Sequence, residues 1–136
     1  MSYASRKGYG AEAAIVKLLT QCGFTVTRPR TTSHRDTDTG DVRGLPLVIS
    51  VKNHARIKLA ECCDELRAMV ERSPWDTGVL IHKRIGRGQP EDWYATMQVR
   101  HLMYLIVALE AVARLREQPS QHAYQSTARE SHCDDE

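Results

Sequence analysis

The chain holds four cysteines, at positions 22, 62, 63 and 133 of its 136 residues, and no two form a Cys-X-X-Cys pair. Neither a zinc knuckle nor a thioredoxin-like dithiol is therefore indicated. His34, His54, His82 and His101 lack the paired spacing of a metal site. The glycine-rich stretch around Gly86 and Gly88 is not followed by Gly-Lys-Ser/Thr, which excludes a phosphate loop. Met1 is not followed by an apolar signal core and no stretch is long enough to span a bilayer. These absences predict a cytoplasmic protein with reduced thiols and no membrane partner.

What is present is an uneven charge distribution. The formal net charge is only +2, yet residues 1–58 carry 10 Lys+Arg against 4 Asp+Glu, whereas residues 110–136 carry 3 against 6. A basic first half suits a polyanionic partner, although an ordinary solvated surface can be equally basic. Apolar content of 41% and charged content of 26% are those of a globular domain of ordinary core size.

Residues 1–8 read as a mobile basic arm ahead of a domain over 9–117. A helix is expected over 9–22, because Ala11, Ala14, Ile15, Leu18, Leu19 and Cys22 recur at helical spacing, with Gly23 suited to the C-terminal cap. Residues 24–28 read as a strand and the polar, breaker-rich stretch 29–39 as a loop. A second helix is expected over 58–72, a strand over 77–82, a basic loop over 83–90, a strand over 93–97 and a helix over 99–117. This last helix is more apolar than one buried face requires, so it is either sandwiched in the fold or part of a dimer interface. Residues 118–136 lack periodicity and read as a disordered polar tail.

The most telling stretch is residues 40–54. Leu45, Leu47, Ile49 and Val51 alternate with Val48, Ser50 and Lys52, and Arg43-Gly44-Leu45-Pro46 supplies turn chemistry. A hairpin here places Asp41 beside Ser50 and Lys52. A carboxylate can hold a divalent cation, and an adjacent lysine can orient or deprotonate a water and offset charge developing on a phosphate. On the following helix Glu61 and Glu65 lie four apart, hence on one side. Glu12, at the start of the first helix, reads either as a charge favourable at a helix N-terminus or as an acid leaning toward the sheet.

Taken together, Arg6-Lys7-Gly8-Tyr9-Gly10-Ala11-Glu12, Gly23-Phe24-Thr25-Val26-Thr27-Arg28, Asp41 and Ser50-Val51-Lys52 resemble the PD-(D/E)XK nuclease superfamily. Within it the closest likeness is to Holliday-junction resolvases of the archaeal type and their phage-encoded relatives, over roughly residues 5–100. Val51-Lys52-Asn53-His54-Ala55-Arg56, His82-Lys83-Arg84 and Trp93-Tyr94 point to the phage-encoded group, which would place the protein in a host cytoplasm. One position departs from the pattern, because Ser50 stands where the family has an acid. The resemblance implies that this carboxylate is relocated to the next helix, to Glu65 in preference to Glu61, as in superfamily members with a Ser-X-Lys motif.

The resemblance implies a restriction-endonuclease-like mixed sheet flanked by helices, assembled as a two-fold homodimer. It implies a Mg²⁺- or Mn²⁺-dependent endonuclease acting on branched DNA, above all four-way junctions, leaving 5′-phosphate and 3′-hydroxyl ends. Asp41, Glu65 and Glu12 would hold the metal, Lys52 would position the attacking water, and Ser50 would hydrogen-bond within the site. Arg6, Lys7, Arg28, Arg30, Arg35, Asn53, His54, Arg56, Lys83, Arg84 and Arg87 are the expected DNA contacts, though loops of such composition also occur as plain connectors. Two alternatives stand: a nuclease of the same fold acting on flaps, forks or other DNA, and a junction-binding protein that has lost catalysis with its acid at position 50.

Overall fold

The computed structural model describes residues 3–29 and 39–117. They belong to two compact units, one ending at Leu102 and one beginning at Met103. Among the described residues, three α-helices and a three-stranded mixed sheet make the architecture mixed α/β.

Helix α1 spans Tyr3–Gln21. It begins earlier than its apolar repeat, with residues 3–8 as its first turns. Its end follows local chemistry. Gly23 adopts φ 94°, the Gly23 N–H donates to the Thr20 carbonyl at 3.0 Å and the Phe24 N–H to the Leu19 carbonyl at 3.1 Å. This pair of bonds is a Schellman cap, which needs a residue that tolerates the left-handed region.

The segment after the cap does not become a regular strand. Thr27 and Arg43 exchange two backbone hydrogen bonds of 2.8 and 2.9 Å, an isolated antiparallel bridge, in place of the strand expected over 24–28. The arm that follows bridges Val42 to Ile49, and the Asp41 N–H donates to the Ile49 carbonyl at 2.7 Å. The hairpin therefore exists with one regular arm and one held by single bridges. Between them Gly44 sits at φ 112°, where a Cβ would lie 2.3 Å from the Thr25 carbonyl oxygen. Only glycine fits that close approach.

The regular arm is β1, Val48–Lys52. Helix α2, Leu59–Arg72, crosses to β2, Gly78–His82, which runs parallel to β1 with Lys52 opposite His82. A short 3-10 turn precedes β3, Tyr94–Thr96, antiparallel to β2. A parallel pair joined by a helix needs cover on both faces, and β1 supplies it by alternation. Ile49 and Val51 join Ala11 and Ile15 of α1 with Val26, Val42 and Val79 in one cluster. Val48, with Leu80, joins Cys62, Cys63, Leu66, Met69 and Val70 of α2 in the other. Helices α1 and α2 thus cover opposite faces of the sheet.

Helix α3 spans Val99–Glu117. Its first turn lies in the first unit, where His101 is buried. In the second unit the large apolar side chains from Met103 to Leu115 are mostly about half to two-thirds exposed, Val107 at 67% among them. Among the described residues no helix is long and apolar enough to cross a membrane.

Candidate active site

The carboxyl ends of β1 and β2 leave the sheet side by side, and the candidate residues gather around them. Lys52 is the last residue of β1 and faces the α2 side. One turn of α2 separates Glu61 from Glu65, and the packing of α2 on Val48 and Leu80 decides which one meets the strand. Glu65 reaches the Lys52 ammonium, with Nζ–Oε2 at 2.8 Å. Glu61 turns instead to Lys58, at 3.2 Å.

Asp41 arrives from the bridged arm. Its Oδ2 accepts the Val51 N–H at 2.6 Å, so the carboxylate is anchored to the backbone of β1 one residue before Lys52. Burial alone would lower the Lys52 pKa, but the hydrogen bond and charge of Glu65, with smaller contributions from Cys62 and Asp41, outweigh it and hold the pKa above the ordinary 10.5. Lys52 is therefore a cation at neutral pH. It can stabilise negative charge and orient a water, but as a protonated amine it cannot accept a proton.

Ser50, between these groups in sequence, is 1% exposed and among the described residues its Oγ has no hydrogen-bond partner. The bond expected from it within the site is not formed, because alternation turns the side chain into the apolar layer under α2. Cys62 lies close to Lys52, yet burial raises its thiol pKa, so it is no ready nucleophile.

Glu12 takes a different partner. It forms an ion pair with the Arg28 guanidinium, which stacks 3.7 Å above the Tyr9 ring. Among the described residues no three His, Cys, Asp or Glu side chains converge as a metal-ligating group. Asp41, Glu65 and Glu12 thus do not form the three-member set that was expected. The residues that do gather at Lys52 are the pair Asp41 and Glu65. A magnesium ion takes one or two carboxylates and completes its shell with water, a donor number that these two residues could supply.

On the α1 side of the same edge, the Asn53 amide donates to the Lys7 carbonyl at 3.2 Å. Lys83 lies 5.5 Å from the Trp93 ring centroid and Arg84 5.8 Å from that of Tyr94. The Trp93 indole N–H donates to the Arg87 carbonyl at 3.1 Å. His82 Nε2 hydrogen-bonds with Thr96 Oγ1 at 2.9 Å, and burial lowers its pKa. His54 and Arg56 are exposed in the turn after β1, and Arg6 is exposed on α1. Arg30 and Arg35 lie outside the described residues. Sequence reasoning did not assign roles to Tyr9, Trp93 and Tyr94, which seat Arg28, Lys83 and Arg84. For Lys83 and Arg84 the available signal was the nearby Trp93-Tyr94 pair; for Arg28 and Tyr9, nineteen residues apart, the sequence carried none. No family model, curated protein or solved structure matches the chain.

Proposed function

We propose that the protein is a metal-dependent endonuclease for branched DNA, with a four-way junction as its preferred substrate, built on a restriction-endonuclease-like domain. One observation carries this reading: a protonated lysine ends a buried parallel strand between an anchored aspartate and a helix-borne glutamate. In this reading Asp41 and Glu65 hold a Mg²⁺ or Mn²⁺ ion, which when bound polarises the phosphoryl oxygen and acidifies water. Lys52 would offset the charge that builds on the phosphate. Asp41 stays fixed by the Val51 N–H. Glu12 acts indirectly, holding Arg28 against Tyr9 where the guanidinium can meet the backbone of the substrate.

The reading includes a two-fold homodimer, which would match the near two-fold symmetry of a junction. Seven large apolar side chains between Met103 and Leu115 are 49–67% exposed, apolar surface of the kind that a second copy would cover.

A second reading has its own support. Lys52 is neutralised by Glu65 and no three-ligand group is assembled among the described residues, which suits a protein that holds junctions without cutting them. Incubation of a labelled synthetic junction with Mg²⁺, Mn²⁺ or EDTA, beside matched linear duplex, separates the two. Metal-dependent paired nicks on the junction alone are expected. Tight binding with no cut under either metal would establish the second reading instead.

A further inference from the structure

Next to Lys52, on the α1 side of the sheet edge, lies a concave pocket of about 360 Å³. Arg6 and Lys7 of α1 and Lys83, just past β2, supply three cations to its wall, and no acidic residue lines it. None of the three cations takes a carboxylate partner among the described residues. Trp93 forms an aromatic side whose ring is fixed by its hydrogen bond to Arg87. Gly10, Ala11 and Ala14 form a smooth floor, and a side chain at Gly10 would meet no atom within 4 Å of its Cβ. The Asn53–Lys7 hydrogen bond ties the strand side of the pocket to the helix side. The pocket is thus built in the free protein.

We propose that this pocket takes one unpaired nucleotide of a DNA strand, with its phosphate among Arg6, Lys7 and Lys83 and its base against the Trp93 indole. The volume falls within that of small-ligand sites. Cations alone would serve a duplex backbone, which presents its phosphates on a convex ridge. A recess with an aromatic wall and a glycine–alanine floor adds what an unstacked base needs, a flat apolar surface that any base can use. In the free protein the Lys83 ammonium covers the indole; on binding it turns to the phosphate and the base takes its place. A branch point is where a duplex yields a base most readily, so the pocket would bias the protein toward junctions, flaps and forks that expose one. The inference rests on the nucleic-acid part of the reading above and not on its hydrolytic part.

The protein has two tryptophans, so Trp75→Phe leaves Trp93 as the sole indole. Its fluorescence is titrated in EDTA with a short oligothymidylate and with a blunt duplex of equal length. Quenching by the single strand is expected at roughly tenfold lower concentration than by duplex, the scale of one stacked base. Gly10→Leu, which fills the recess with a good helix former, is expected to weaken single-strand binding by a similar factor without lowering Tm. Equal response to duplex, no quenching, unchanged binding by Gly10→Leu, or the same quenching in a Trp93→Phe protein would each overturn the pocket. Cleavage is read separately with metal added. Quenching without cleavage would defeat the nuclease reading and leave the pocket standing; cleavage without quenching would do the reverse.

Discussion

Lys52 and Lys83 leave the sheet at the same edge, from neighbouring parallel strands, and meet opposite surroundings. Lys52 points to the α2 side and is held by a carboxylate. Lys83 borders the α1 side and faces an indole ring. An ammonium beside a carboxylate is neutralised until something draws that carboxylate away, whereas one over an aromatic face keeps its full charge for an incoming anion. In the proposed reading the edge is divided into a side for chemistry, with Asp41 and Glu65, and a side for holding a strand, with Arg6, Lys7 and Trp93.

The sharpest way to break this comparison is to remove each lysine. Lys52→Ala is expected to lower junction cleavage by about 10²–10³-fold, the scale of losing one group that stabilises transition-state charge, with junction affinity in EDTA nearly unchanged. Lys83→Ala is expected to do the opposite. Cleavage at saturating DNA persists, while the slope of log affinity against log salt falls by about 1, one phosphate contact fewer. Gel-shift titrations at several salt concentrations, run beside single-turnover cleavage, read both. A matching loss of cleavage in the two variants would erase the division.

Smaller effects probe the layers beneath. Burial lowers the pKa of His101, a hydrogen bond to the Gly78 backbone opposing in part, and burial lowers that of His82 as well. The unfolded chain therefore binds more protons than the folded one below the ordinary value of 6.5, so stability is full at neutral pH and declines as pH falls through that value. Thermal melts between neutral and mildly acidic pH should show a decline that is shallower in His101→Gln. Ser50→Ala removes a buried hydroxyl that has no partner. It is expected to raise stability by about 1 kcal/mol and to leave cleavage intact, since among the described residues Ser50 Oγ makes no hydrogen bond to Asp41, Lys52 or Glu65. Calorimetry and the junction assay check the two halves.

How much of this was legible in the sequence depends on the range of the interaction. The end of α1 was readable because a Schellman cap is set by neighbours within six residues and Gly23 is the residue it needs. The two-sided burial of β1 was readable because alternation is local. The pairing of charges was not. Glu12 finds Arg28 sixteen residues on, and Lys52 finds Glu65 thirteen on; each depends on how a helix is seated against the sheet, which periodicity does not specify. Helical spacing put Glu61 and Glu65 on one side of α2 and the resemblance ranked Glu65 first, while the seating of the helix is what turns Glu65 to Lys52 and leaves Glu61 to Lys58. The strand expected over 24–28 failed because its pairing partner offers a single bridge at Arg43, with Gly44 turning the chain away at once. The apolar excess of α3 was plain in its composition, whereas its exposure is a property of the folded chain.

Gly44 carries a consequence of its own. Its backbone passes so close under Thr25 that a single added methyl group would have no room, and the arm it terminates is the one that delivers Asp41. Alanine at this position would push that arm off β1 and withdraw the carboxylate, although no charged or catalytic group had changed. A lesion of this kind should behave conditionally, tolerated in the cold and disabling when warmed. It makes this turn the place where a geneticist could silence the site without touching its chemistry.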